Sequence, residues 1–279
     1  MNWEISTIYL AIIGLEVGIS NFQHKKLYTW RETVTTVFLS LLNGILDLAI
    51  RGLYLLLLTF IYQFRIFEID NSIAYWFVLF LLVDFQFYWL HSLEHYCRIF
   101  WAAHVTHHSA EHMNITVGFR ASLMRPLYDF VFFLPLAFFG FKPIEILLMY
   151  SFAQIWAVFV HTEMIRNLGW LEYIFVTPSH HRVHHASNEK YLDRNMGMVL
   201  IIWDRLFGTF QKELKPEQYE PIRYGLTKPL ASHDLFTVIT HEWRSIWSDI
   251  RQKGIGWKDR LGYMFGPPGW KPNRDIANR

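Results

Sequence analysis

The chain has 279 residues, of which 52% are apolar and 18% aromatic, while only 18% are charged. That charged share lies below the roughly 25% usual for soluble domains, and the apolar residues fall in long blocks, which excludes a disordered chain and argues against a soluble enzyme. A formal net charge of +2 gives no sign of a nucleic-acid partner, and a single cysteine, Cys97, excludes a disulfide framework or a cysteine-rich metal cluster.

In chain order, the first apolar stretch covers about residues 5–19 and is interrupted by Glu16. It lacks the basic start and small-residue cleavage site of a signal peptide and is expected to be retained. The second, residues 33–62, reaches roughly 45 Å as a helix, more than a bilayer core requires. Inside it, Asp47 and Arg51 are spaced to pair across one helix turn, either as a structural pair facing neighbouring helices or as functional intramembrane charges. The third, residues 73–90, is rich in aromatic residues and leads into the first histidines. The fourth and fifth, 126–139 and 144–160, are separated by the turn signals Gly140 and Pro143 and predict a helical hairpin. Its first arm is short for a full crossing, so a re-entrant arm is the alternative.

If all five segments cross with the amino terminus outside, one side carries Lys25, Lys26, Arg31, Arg98, Arg120, Arg125 and the seventeen Lys and Arg residues from Arg166 onward. The other side carries only Arg65 and Lys142. Positive charge concentrates on the cytoplasmic side of membrane proteins, which orients the histidine-rich end inward. The expected fold is therefore an all-α integral membrane protein with four to five hydrophobic helices under a cytoplasmic helical cap. It reads as one domain over 1–279, with a histidine-rich region at about 80–210 and a cytoplasmic, partly interfacial tail at 211–279. In that tail Trp243, Ile246, Trp247 and Ile250 have amphipathic helical spacing, with Arg244, Ser248 and Arg251 opposite. This suits a helix on an anionic membrane surface or one packed on the cytoplasmic body.

Eleven of the fourteen histidines lie between His91 and His185. They form three clusters: His91 with His95; His104, His107 and His108; and His181, His184 and His185. At this histidine frequency H-x-x-H-H should arise roughly 0.03 times by chance, yet it occurs twice. Helical spacing of three and four points several imidazoles of each cluster at one place. Unpaired imidazoles at a membrane boundary are costly to desolvate, so metal coordination is the expected role of these eight. Eight ligands exceed one tetrahedral ion and suit two. His161, at the end of the hairpin's second arm, is a ninth candidate. Imidazole binds iron, zinc, copper and nickel, which leaves the metal open.

Asp84, Glu94, Glu111, Glu163 and Asp193 are candidates to orient the rings, with solvated or capping carboxylates as the alternative. His180 is expected to support the cluster from behind. Asn195 is expected to contact metal or bound water, or to make the turn ahead of Gly197. His24, His233 and His241 read as structural, and His112 lacks a spacing partner. Phe85, Phe87, Tyr88, Trp89 and Phe152 are candidates to line a lipid path, packing being the alternative. A metal transporter would place its sites near the bilayer midplane, and the H-E-x-x-H pattern of a zinc hydrolase is absent.

The order H-x-x-x-H, H-x-x-H-H, H-x-x-H-H, split by an apolar hairpin, resembles the fatty acid hydroxylase/sterol desaturase superfamily. Flanking segments narrow the resemblance to its alkylglycerol monooxygenase-like branch. They are Trp101-Ala-Ala-His-Val-Thr-His-His-Ser109, His161-Thr-Glu-Met164, Thr177-Pro-Ser-His-His-Arg-Val-His-His185, Ile202-Trp-Asp-Arg-Leu-Phe-Gly-Thr-Phe210, Tyr224-Gly-Leu-Thr227 and Gly266-Pro-Pro-Gly-Trp270. The resemblance covers about residues 80–270. It implies that His91, His95, His104, His107, His108, His161, His181, His184 and His185 ligate two iron ions. These activate O2 to hydroxylate, cleave or desaturate a lipid drawn from the bilayer. It further implies reduced tetrahydrobiopterin, or a cytochrome b5- or ferredoxin-type protein, as electron donor. The membrane implied is the endoplasmic reticulum in a eukaryote or the inner membrane in a bacterium.

Overall fold

The computed structural model describes residues 3–70 and 72–272. The first helix, α1 (Trp3–Phe22), is followed by a turn in which His24 and Lys26 take positive φ. Thr29 then starts α2 (Trp30–Tyr62) by accepting the Glu32 N–H on its side chain, and Ser72 starts α3 (Ile73–Tyr96) by accepting the Tyr75 N–H. Each cap satisfies one of the donors that a helix start leaves orphaned. Both helices are long and apolar enough to cross a membrane. On α2, Leu48 is 76% and Leu56 69% exposed, a pattern that lipid rather than protein core accommodates. The Asp47–Arg51 pair forms at 2.5 Å and is partly exposed on α2.

Two sequence expectations need correction. The third apolar stretch does not stop before the histidines: α3 continues to Tyr96, so His91 and His95 ride on the same long apolar helix. Extended backbone at Cys97 then breaks the helix, and α4 (Arg98–His108) folds back along α3. The fourth segment is also not a helical arm. It forms 3-10 turns at Arg125–Leu127 and Asp129–Phe133 before the five-residue α5 (Leu134–Phe138). Pro126 and Pro135 each remove a backbone donor that a continuous helix would need.

This irregular run lies alongside α2. Ser40 Oγ donates to Phe119 O at 2.9 Å, Asn43 Nδ2 to Ser122 O at 2.6 Å and Tyr54 OH to Asp129 Oδ1 at 3.2 Å. At the far end the Ile66 N–H reaches Phe138 O at 2.9 Å. A 3-10 turn rises about 2 Å per residue against 1.5 Å for an α-helix, so fewer residues cover the depth of α2. Gly140, at φ +107, makes the return; a Cβ there would lie 2.2 Å from Phe67 O, so only glycine fits. The chain then climbs back in α6 (Pro143–Phe159).

The remaining helices are short: α7 (Pro178–His184), α8 (Ile202–Phe207), α9 (Leu235–Ile250) and α10 (Trp257–Phe265). Among the described residues one isolated bridge, Phe175 to Leu200, is the only β pairing. One apolar cluster, with Leu58, Tyr75, Leu79, Phe133 and Ile146, fills the end far from the histidines. A second, with Phe87, Ala153, Met198 and Val199, lies directly beneath them.

The tail helix α9 packs on the body, and Arg244 and Arg251, expected opposite Trp247, lie on its exposed side with it. Its inner face buries Val238 and Ile246, and its Glu242 and Asp249 pair with Arg98 of α4 at 2.6 and 2.7 Å. Its outer face exposes Phe236 and Trp247, with Arg244 and Arg251 stacked over their rings.

Candidate metal centre

Four parts of the fold converge at the upper end of α3. They are α3 itself with His91 and His95, α4 with His104, His107 and His108, His161 just past α6, and α7 with its cap residue, carrying His181, His184 and His185. The nine side chains meet in two groups. His91, His95, His104, His108 and His184 form one; His107, His161, His181 and His185 form the other. Within each group the candidate ligand atoms lie within 4.8 Å of one another. Each H-x-x-H-H box was expected to point at one place, and here the structure differs. The i and i+4 rings share one row on the helix and the i+3 ring lies on the adjacent row, so α4 and α7 each serve both groups.

Burial disfavours the charged form of the rings outside α3. It holds His104, His107, His108, His181, His184 and His185 well below the ordinary histidine range, the positive charge of neighbouring rings adding to the effect for most of them. His161 is pushed down to about 4, again by burial. A neutral imidazole has one N–H and one lone pair, and the outer partner selects which nitrogen carries which.

In the first group His91 Nδ1–H donates to Met196 O at 2.8 Å, His184 Nδ1–H to Arg194 O at 2.9 Å and His95 Nδ1–H to Asp193 Oδ1 at 3.0 Å. In the second, His161 Nδ1–H donates to Ala157 O at 2.7 Å and His107 Nδ1–H to Arg120 O at 3.3 Å. The Nε2 atoms of these rings are therefore lone pairs pointing inward. His107 and His161 aim theirs at each other across 3.2 Å with no proton to share. The buried Nε2 atoms of His95, His184 and His185 have no hydrogen-bond partner. Converging, dry, unprotonated nitrogens repel one another unless a cation lies between them, and imidazole is a fitting donor for a first-row transition metal. The two groups can each hold a metal ion.

Three of the outer partners come from one loop, residues 193–196, for which the sequence offered only Asp193 and Asn195 as signals. Both adopt the left-handed region, at φ 54 and 56, which Asp and Asn tolerate better than most residues. Asn195 is wholly buried and does not face the rings. Its Nδ2 donates to His180 O and Gln211 O and its Oδ1 accepts the Gln211 N–H, which locks the loop. Asp204, also buried, receives the N–H groups of Met196 and Gly197 and so fixes the carbonyl that meets His91.

Of the expected ring-orienting carboxylates, Asp193 meets His95, and Glu94 Oε2 comes within 3.4 Å of His104 Nδ1 without hydrogen-bond alignment. The others are elsewhere. Asp84 accepts the N–H groups of Val199, Leu200 and Trp203, joining α3 to the α8 segment. Glu111 faces His233 and Glu163 faces Tyr224. His180 belongs to neither group; its ring caps the start of α7 and contacts Phe175 O. The aromatic candidates divide as well: Phe87 packs 5.3 Å from the His91 ring, whereas Phe85, Tyr88 and Trp89 pack against Phe207. Backbone carbonyls do most of the orienting, and no side-chain pattern announces them.

Gly118 guards the second group from below. A Cβ there would lie 2.9 Å from the Val158 backbone and 3.1 Å from His161 Nδ1. Gly118→Ala is expected to displace the His161 ring from the Ala157 carbonyl and to weaken metal retention by the second group about 10–100-fold. Metal analysis after dialysis against a chelator measures this.

Residues 76–209 match the family model described as fatty acid hydroxylase. The chain is 36% identical over 278 residues to Alkylglycerol monooxygenase of Xenopus tropicalis, covering 97% of this chain and 60% of that protein. It is 36% identical to Alkylglycerol monooxygenase of Homo sapiens over 87% of this chain and 54% of the other, and 32% identical to that of Danio rerio over 99% and 62%. The chain thus spans little more than half the length of the curated relatives it matches. No solved structure matches it. The histidine boxes of α3, α4 and α7, together with His161, all fall inside the matched segment, so the part of the chain that carries the two histidine groups is a fatty acid hydroxylase-type segment.

Proposed function

We propose that this chain is a membrane-embedded lipid monooxygenase acting as one domain, in which the nine clustered histidines hold two iron ions at the cytoplasmic end of the apolar helices. The observation that carries this reading is the pair of histidine groups whose ring nitrogens converge within 4.8 Å, with the buried Nε2 atoms of His95, His184 and His185 lacking any hydrogen-bond partner. Iron held there supplies activation of O2 and insertion of oxygen into an unactivated C–H bond. The chain's own residues bind, orient and exclude water. The carbonyls of Arg194, Met196, Arg120 and Ala157 keep the rings in one tautomer. Phe87 and the apolar cluster around it keep the floor of the site dry. An apolar groove of about 410 Å³ between α3 and α6, lined by Trp76, Phe80, Leu148, Met149 and Phe152, accepts an alkyl chain from the bilayer.

Similarity to the alkylglycerol monooxygenases supports an alkylglycerol as substrate. Electrons come from reduced tetrahydrobiopterin or from a cytochrome b5- or ferredoxin-type protein. The distribution of Lys and Arg supports a multi-pass orientation with the histidines facing the cytoplasm, in the endoplasmic reticulum or a bacterial inner membrane.

The test is iron content together with lipid turnover in native-like membranes, with and without O2. About two irons per chain and loss of one lipid species only in the presence of O2 are expected. Mass spectrometry of the product separates ether cleavage from hydroxylation and desaturation. Turnover that persists without O2, or no iron uptake after loading, overturns the reading.

A further inference from the structure

Three buried arginines have a partner for every guanidinium nitrogen, and a fourth, Arg125, is partly buried, its side chain 21% exposed. Arg98 donates to Glu242, Asp249 and Ser245. Arg120 donates to Thr106 O, Ser109 and Thr36. Arg182 donates to three carbonyls and to Glu213. Arg125 differs. Its Nε stands 3.1 Å from Glu94 Oε1, an oxygen that also accepts the Tyr128 hydroxyl at 2.7 Å, and its Nη2 is buried with no hydrogen-bond partner. The buried hydroxyl of Tyr150, on α6, is likewise without a partner. Buried donors are nearly always hydrogen-bonded in native structures, so two left unmet side by side call for a partner.

Their placement points to an occupant. The Arg125 guanidinium sits 5.2 Å over the Phe87 ring, and the same ring stands 5.3 Å from His91. Tyr150 packs into both apolar clusters, its ring tilted against Phe133 at 4.6 Å. Arg125 and Tyr150 lie within electrostatic reach of each other, and the groove of Trp76, Phe80 and Phe152 runs between α3 and α6, the helices that carry Phe87 and Tyr150. Along α3, Phe80 and His91 are separated by about 16 Å of helix. The charge balance selects the ligand's chemistry. Glu94 already neutralises Arg125, and Asp129, held by Tyr54, adds a second carboxylate nearby. A phosphate or carboxylate would be repelled, whereas a neutral acceptor oxygen is not.

We propose that Arg125 Nη2 and the Tyr150 hydroxyl form a subsite for a neutral oxygen of the lipid, hydroxyl or ether, with the alkyl chain lying in the α3–α6 groove. This rests on the reading of the histidine groups as a lipid-oxidising centre. The oxygen is held one ring away from His91, and the subsite thereby selects carbons close to that oxygen for reaction.

The experiment measures equilibrium binding of a long-chain alcohol, a long-chain glyceryl ether and the alkane of equal length to the metal-free full chain in lipid nanodiscs. The unsubstituted chain is expected to favour one or both oxygen-bearing lipids over the alkane. Tyr150→Phe is expected to weaken those lipids about three- to tenfold and leave the alkane unchanged. Arg125→Lys, which keeps a charge for Glu94, is expected to act in the same direction. The alcohol and ether arms tell which oxygen the subsite prefers. Equal affinity for all three lipids, or no effect of Tyr150→Phe, overturns the subsite. Binding without metal is read independently of catalysis: preserved discrimination with no O2-dependent turnover would sink the oxygenase reading alone, and turnover without discrimination would sink the subsite alone.

Discussion

His185→Ala leaves the second group with three imidazoles and is expected to lower bound metal from two ions per chain to one, with lipid turnover falling at least a hundredfold. The ring it removes closes the site on two sides, stacked 4.4 Å from His108 and edge-on 4.5 Å from His107. Its Nε2 is buried and meets no protein atom, so alanine removes a donor that nothing nearby replaces. The control is His180→Ala on the same helix. That ring belongs to neither group and holds the start of α7, so its loss is expected to lower stability modestly while both metals stay bound. Retention of two metals and of turnover in His185→Ala would refute its assignment as a ligand.

Asn195→Ala should be nearly as damaging, for a different reason. The side chain makes three buried hydrogen bonds that alanine cannot make, and alanine in the left-handed region adds a backbone penalty. A loss on the order of 3 kcal/mol is expected in chemical denaturation of the metal-free protein. The more telling readout is selective. The loop it locks supplies the partners of His91, His95 and His184, all in the five-histidine group, and of no ring in the other. Asn195→Ala is therefore expected to loosen one metal about 10–100-fold and leave the other. Chelator-driven release should turn from near-uniform to two clearly separated phases. Uniform loosening of both would show that the loop is not a private support of the first group.

The comparison with the sequence is uneven in an instructive way. The candidate ligands were legible because metal binding requires a rare residue at helical spacing, and the second H-x-x-H-H box survives any plausible background. The split into groups of five and four was not, because it depends on how α4 and α7 face each other across the cluster. Long apolar helices were legible to within a few residues, as α2 and α6 attest. The fourth segment was misread: its apolar composition fits a helix, but Pro126 and Pro135 divide it into 3-10 turns whose larger rise compensates for its length. Ring orientation was least legible. It falls to main-chain carbonyls, which every residue possesses, and a charged side chain such as Asp84 or Glu163 is drawn to whatever unpaired N–H or O–H the fold leaves nearby.

Two short helices straddle the cluster. On α4, His104 and His108 look one way and His107 the other; on α7 and its cap residue, His181 and His185 look one way and His184 the other. The spacing between the two groups is consequently a property of helical pitch, written into backbone hydrogen bonds, and it does not depend on loops. The pair behaves as the jaws of one caliper. A loop that loosens around residue 195 can change how firmly the rings of one group are held, but the separation of the two histidine rows on each helix stays fixed until a turn of helix is unwound.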